Sequence, residues 1–253
     1  MILTDVLTAT DMGPMYYKFI PIFIRAWKKL FPEVNIHIVL IANEIIDELR
    51  PYTEFIKLFK PIDGIKTSFI AQNIRLFYPS LIKSEGGILI TDMDIIPMNK
   101  RYYQDSINDI DSDKFVCYRQ LECVGRGEMV ICYNIAHREV WEEIFNIKTE
   151  KDIVTMLNIL NNNFKYVGHE SMPFWITDQL YLYERTQGWN KNKYRLVILN
   201  DRMTGFNRLD RGRFPNNTIL IHSVKHGFYS DYHMYRPYEQ YKVINDTVVE
   251  LLN

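Results

Sequence analysis

Gly87-Ile88-Leu89-Ile90 is an unbroken apolar run, followed at once by Thr91-Asp92-Met93-Asp94. A strand without polar alternation is buried on both faces, so it needs helices above and below and points to a parallel α/β sheet. The two carboxylates then fall where the strand leaves the sheet, the edge at which open α/β sheets hold ligands. If the chain stays extended, Asp92 and Asp94 share a face. Two acids so close repel each other, and a hard divalent cation bound through oxygen relieves that repulsion.

The rest of the chain supplies the layers such a strand demands. Ile2 to Thr8 reads as a first strand, closed by a Gly13-Pro14 turn. Tyr16, Phe19, Ile20, Phe23, Ile24, Trp27, Leu30 and Phe31 then recur at helical spacing, with Pro21 in the first turns or kinking them. Asn35 to Ile41 predicts a strand, Glu44 to Arg50 a short helix, and Phe55 to Ile62 an extended segment. Thr67-Ser68 opens a helix carrying Phe69, Ile70, Ile74 and Phe77. Beyond the aspartates, Phe115–Tyr118 and Met129–Asn134 read as strands, and Glu139–Phe145 and Lys151–Leu160 as helices. Another helix begins near Thr177, and Arg195–Leu199 and Thr218–Ile221 read as the final strands. Strand and helix alternate without a linker or repeat, which implies one α/β domain over residues 1–253.

Composition narrows the partners. With 253 residues and 47% hydrophobic content the chain can bury a full core, and its net charge of -1 gives no general attraction to nucleic acid or to a membrane surface. Any anionic ligand must be met by a local cluster. Cys117, Cys123 and Cys132 are an odd number without metal spacing, best read as small buried apolar groups in a reducing compartment. No apolar run is long enough for a transmembrane helix, and the start Met1-Ile2-Leu3-Thr4-Asp5 lacks the basic region of a secretion signal. The expected location is cytoplasmic.

Several further residues fit an anion site. Thr218–Ile221 runs into His222, whose imidazole at a strand end can complete the coordination begun by Asp92 and Asp94, with Lys225 near for phosphate oxygens. Arg75 sits among apolar neighbours, where a guanidinium needs an anionic partner. Arg202, Arg208, Arg211 and Arg213 read as a solvated loop or as a lid meeting phosphate. Glu170 and Asp178, flanking Pro173-Phe174-Trp175, are the candidate catalytic carboxylates. Each has a plain structural alternative: a solvated turn for the aspartates, a capped strand end for His222, a buried ion pair for Arg75, a helix cap for Asp178. His226 and His233 read as surface or core.

Taken in order, these residues resemble a GT-A glycosyltransferase, the nucleotide-sugar-dependent family with a metal-binding Asp-x-Asp motif. The likeness rests on Val6-Leu7-Thr8-Ala9-Thr10, Gln72-Asn73-Ile74-Arg75-Leu76-Phe77-Tyr78-Pro79, Leu89-Ile90-Thr91-Asp92-Met93-Asp94, Thr177-Asp178-Gln179 and Ile221-His222. It is similar to the glycogenin and galactosyltransferase-like branch and to small glycosyltransferases of large DNA viruses. The resemblance implies a mixed, mainly parallel sheet flanked by helices, and a sugar moved from a nucleoside-diphosphate sugar, UDP-linked in that branch, to a glycan or glycoprotein hydroxyl. It implies Mn²⁺ or Mg²⁺ on Asp94, Asp92 and His222, and donor contacts from Thr8, Thr10, Asp11, Arg75 and Asp92. The sequence departs from the branch after His222, which weakens the phosphate role of Lys225. Two other readings stand beside it: a haloacid dehalogenase-like phosphotransferase with Asp92 as nucleophile, and a non-catalytic nucleotide-sugar-binding module.

Overall fold

The computed structural model describes residues 1–120, 126–164, 166–168 and 175–252. A seven-stranded sheet runs in the order β3-β2-β1-β4-β7-β6-β8: β1 Leu3–Asp11, β2 Asn35–Ile41, β3 Ile56–Phe59, β4 Gly87–Ile90, β6 Phe115–Cys117, β7 Asn134–His137 and β8 Leu196–Ile198. Strands β1 to β4 are mutually parallel, β7 is antiparallel to both β4 and β6, and β8 is parallel to β6. A second sheet of three strands, β5 Ile95–Pro97, β10 Tyr229–His233 and β9 Asn207–Asp210, stands beside it.

The helices are α1 Ile20–Leu30, α2 Thr67–Phe77, α3 Lys100–Gln104, α4 Arg138–Phe145, α5 Glu150–Asn163, α6 Thr177–Asn190, α7 Asp201–Thr204, α8 Asn217–Lys225 and α9 Lys242–Glu250. Pro21 falls in the first turn of α1, where its missing N–H costs nothing. The main sheet separates two cores. Leu89 packs on one side with Val6, Phe23 and Trp27, whereas Ile88 and Ile90 pack on the other with Phe69, Ile70 and Trp141. That alternation along β4, with every residue buried, is the two-sided burial the apolar run requires.

Three expectations are corrected. Met129 to Ile131 is not strand, and pairing begins at Asn134, whose side-chain amide donates to the carbonyls of Val130 and Ile131 at 2.8 and 2.9 Å. The 47–55 stretch, with Pro51 inside it, is a 3-10 helix. Thr218–Ile221 is helical, within α8, because the Asn216 side chain accepts from the Ile219 N–H at 3.0 Å and caps the turn. Cys117 and Cys132 are free and buried, and burial pushes the Cys117 thiol up to about 12, as apolar packing requires. Cys123 lies outside the described residues. Among the described residues no helix is long and apolar enough to cross a membrane.

Candidate active site

A cavity of about 240 Å³ opens at the carboxyl ends of β1 and β4. Ala9, Thr10 and Asp11 from β1, Asp92 to Asp94 after β4, and Asp178 and Gln179 from α6 line it. Helix α2 contributes Ser68, Ala71, Gln72 and Arg75, spaced i, i+3, i+4 and i+7 and therefore on one face. Tyr16, Arg211, His233 and Arg236 close the other side.

The Asp-x-Asp segment is a turn rather than a continued strand: the Ile95 N–H donates to the Asp92 carbonyl at 3.3 Å, and Met93 tucks into the core. Both carboxylates nevertheless face the cavity, each with its own set of cations. On the main-sheet side Arg75, 5% exposed, donates to the Asp92 carboxylate, to the Thr91 carbonyl at 3.1 Å and to Asp178 Oδ2 at 3.1 Å. Asp178 Oδ1 also accepts from the Gln179 N–H at 2.9 Å. Burial pushes the Asp178 carboxyl up to about 6; Arg75 opposes that rise and the charge of Asp92 adds to it.

On the small-sheet side Asp94 Oδ2 meets Arg211 at 2.9 Å, His233 Nε2 at 3.3 Å and Arg236 at 3.9 Å. Burial works against the Asp94 anion, yet His233 and Arg211 prevail and hold its carboxyl well below the usual range. The His233 imidazole is pulled down by burial and more than restored by Asp94, so its pKa rises. Its Nδ1 faces Asp210 Oδ2 at 3.4 Å. Arg236 also donates to the Tyr16 hydroxyl, whose pKa burial and then Asp94 push up to about 12.

The small sheet is tied in place by charge. Register sets Asp231 opposite Arg208 and His233 opposite Asp210. Asp231, fully buried, accepts from Arg119 at 2.7 Å and from Arg208 at 2.5 Å, and Arg119 also donates to Asp201 at 2.6 Å and Ser230 at 2.8 Å. Two residues along the same face of β10, His233 is delivered to Asp94.

The structure brings Thr10, Asp11, Arg75, Asp92, Asp94 and Asp178 to one cavity. Asp11 is held there by the Thr67 hydroxyl at 2.7 Å and the Gly13 N–H at 2.9 Å. Thr8 is buried behind the lining, with its hydroxyl unpaired in the core. His222 and Lys225 are exposed on α8 and absent from the lining; His222 stacks on His226 with ring centroids 4.1 Å apart. His233 stands beside Asp94 where His222 was expected. Glu170 lies outside the described residues. Of the four clustered arginines only Arg211 reaches the cavity. In the sequence Tyr16 reads only as part of the apolar stripe of α1, which it precedes, and His233 only as surface or core; Arg236 carries no signal there.

Neither a family model nor a curated protein sequence matches this chain. Solved structures do. A galactosyltransferase, LgtC, in complex with donor and acceptor sugar analogs aligns over 99% of this chain and 96% of its own, at 12% identity and a TM-score of 0.52. The glycosyltransferase GlyE of Streptococcus pneumoniae TIGR4 aligns over 99% of this chain at 14% identity and a TM-score of 0.52, but this chain spans only 60% of its length. The protein has the mixed α/β fold of GT-A glycosyltransferases.

Proposed function

We propose that this protein is a divalent-cation-dependent glycosyltransferase that moves a sugar from a nucleoside-diphosphate sugar, with UDP-sugars the first donors to test, to a hydroxyl acceptor. The observation carrying this reading is the paired arrangement at the carboxyl edge of β1 and β4: Arg75 on Asp92 and Asp178, and Arg211, Arg236 and His233 around Asp94. Four carboxylates line the cavity (Asp11, Asp92, Asp94 and Asp178) against three guanidinium groups. When His233 gives up its proton, as an imidazole must to ligate a metal, that leaves one net negative charge, which an added cation offsets for an entering diphosphate.

Among the described residues no group of three His, Cys, Asp or Glu side chains forms a metal cage. What converges is the pair Asp94 Oδ2 and His233 Nε2, 3.3 Å apart. Adjacent ligands of an octahedral ion at about 2.1 Å lie about 3 Å from each other, and Mg²⁺-type sites commonly use one or two protein groups with water and substrate phosphate. The spacing suits such an ion in place of the Nε2–Oδ2 contact, once Arg211 turns from Asp94 Oδ2 to phosphate, and Asp210 behind His233 supplies the carboxylate that orients an imidazole ligand. Asp94 and His233 would hold Mn²⁺ or Mg²⁺, with Asp92 shared between Arg75 and ribose or the ion. When bound, the ion neutralises charge developing on the departing diphosphate.

The chain's own groups do the rest. Arg211 and Arg236 supply charge-assisted donors to phosphate oxygens, the role Lys225 is too remote to fill. Arg75 clamps Asp92 and Asp178 in one geometry, so the negative Asp178 carboxylate faces the sugar's reacting carbon or the acceptor hydroxyl without reorganisation. The haloacid dehalogenase reading is disfavoured, since Asp92 is held by a guanidinium rather than presented as a nucleophile. A thermal-shift panel of nucleotide sugars, with and without Mn²⁺, tests the proposal. One donor should raise the melting temperature only when the metal is present, and metal-independent shifts or none at all would refute it.

A further inference from the structure

The wall of the cavity facing α2 is built differently from the charged floor. Tyr166 and Trp175 stack there nearly parallel, with ring centroids 6.0 Å apart and 16° between planes, and both line the cavity. They are anchored to α2: Tyr166 donates from its hydroxyl to Ser68 at 3.4 Å, and its ring meets Phe69 edge-on at 5.1 Å. The Gln72 amide donates to the Trp175 carbonyl at 3.3 Å, which fixes the indole's backbone. The other end of that amide, Gln72 Oε1, is buried and has no hydrogen-bond partner in the protein. A buried acceptor without a donor costs free energy unless a ligand supplies one.

Resting on the transfer reading, we infer that this wall is the acceptor subsite, and that the acceptor is a pyranose whose apolar C–H face lies on the Trp175–Tyr166 pair, with the Gln72 side chain at its rim and Oε1 closed off from the cavity until the amide turns. Aromatic faces with a few fixed polar groups at their edge suit a ring that is apolar on its face and polar at its rim. Position agrees. Gln72 precedes Arg75 by three residues and Ser68 precedes it by seven, so their Cα atoms lie about 4.5 Å and about 10.5 Å along the α2 axis from that of Arg75. That leaves the donor's sugar beside Arg75 and Asp178 and the acceptor one helical turn further on. A peptide acceptor commonly binds by adding a strand to an open sheet edge, and the edges of the main sheet, β3 and β8, contribute nothing to this cavity.

The test titrates the full chain with methyl hexopyranosides, with a serine-containing peptide and with UDP alone, following the indole N–H resonance of Trp175 assigned by its loss in Trp175→Phe. At least one pyranoside should shift that resonance, and the peptide should not. With that pyranoside as acceptor, Trp175→Ala should raise the acceptor KM about tenfold and Trp175→Phe less than threefold, since Phe keeps a stacking face. Nucleotide affinity, measured by calorimetry without acceptor, should change less than the acceptor KM. A Trp175 shift driven by UDP, with equal loss of nucleotide affinity in Trp175→Ala, would assign the wall to the base and overturn the inference. So would a response to the peptide alone, or an unchanged KM in both variants when thermal melting shows them folded. If the wild type binds the pyranoside but processes no nucleotide sugar, the sugar-binding wall stands and the transferase reading falls.

Discussion

The two sheets hold the two aspartates by opposite means. The centre of the main sheet is fixed by largely apolar strands, and Asp92 reaches the cavity from the end of β4, whose residues are all apolar and buried. The small sheet carries charges inside: Asp231 with Arg119 and Arg208, then His233 with Asp94 and Asp210. A buried charge network adds little net stability over apolar packing; here the register that sets Asp231 opposite Arg208 also sets His233 opposite Asp210 and beside Asp94.

The largest expected effect breaks the small sheet. Asp231→Ala leaves Arg119 and Arg208 buried without their shared anion and should cost about 3 to 5 kcal/mol in urea unfolding. Leu89→Ala, acting through a cavity alone, should cost about 2 to 5 kcal/mol. The difference lies in what else is lost: Asp231→Ala should also abolish metal-dependent nucleotide binding, whereas a folded Leu89→Ala should retain it. Retained metal binding in Asp231→Ala would separate register from the site.

Arg75→Ala should lower turnover of the donor by about 10² to 10³, and Arg75→Lys should not restore it, because a single ammonium cannot span Asp92 and Asp178. Full activity in the lysine variant would remove the clamp from the account. Next, His233→Ala should weaken Mn²⁺ binding by at least about tenfold while His222→Ala, altering an exposed residue outside the cavity, leaves it unchanged. Equal effects would return His222 to the site.

The pH dependence separates the carboxylates. Asp178 has a raised pKa, about 6, so its charged form and the rate should grow as pH rises through 6, and Asp178→Asn should lose that limb. Its contribution to stability has the reverse sense, present below its ordinary value and lost as pH rises through about 6. Asp5 behaves in the usual way. Burial opposes its charge, but hydrogen bonds from His37 at 2.8 Å and Ser84 at 2.6 Å lower its pKa, so its stabilisation is present above about pH 4 and lost on further acidification. Asp5→Asn should flatten the acid limb of the unfolding curve at a cost of about 1 to 3 kcal/mol, the smallest of these effects.

The main sheet was legible because apolar runs such as Gly87–Ile90 and helical stripes such as that of α1 state their burial directly. Asp92, Asp94, Arg75 and Asp178, which line one cavity, stood out in the sequence because each adjoins such a segment. Strands β9 and β10 were not, since Asn207-Arg208-Leu209-Asp210 and Tyr229-Ser230-Asp231-Tyr232-His233 look solvated until their ion pairs are seen. Conversely, Thr218–Ile221 looks like a strand because it is apolar and β-branched, and the Asn216 cap makes it a helix. His222 was misplaced for that reason, and the histidine beside Asp94 is His233, on a strand too polar to recognise.

The most direct measurement of the central claim is release of nucleoside diphosphate from a panel of nucleotide sugars by the wild type and by Asp94→Asn, each with Mn²⁺ and with EDTA. The account predicts release from at least one donor by the wild type with Mn²⁺, abolished by EDTA and lowered by about 10² or more in Asp94→Asn. Equal release with EDTA, or undiminished release by the variant, would contradict it.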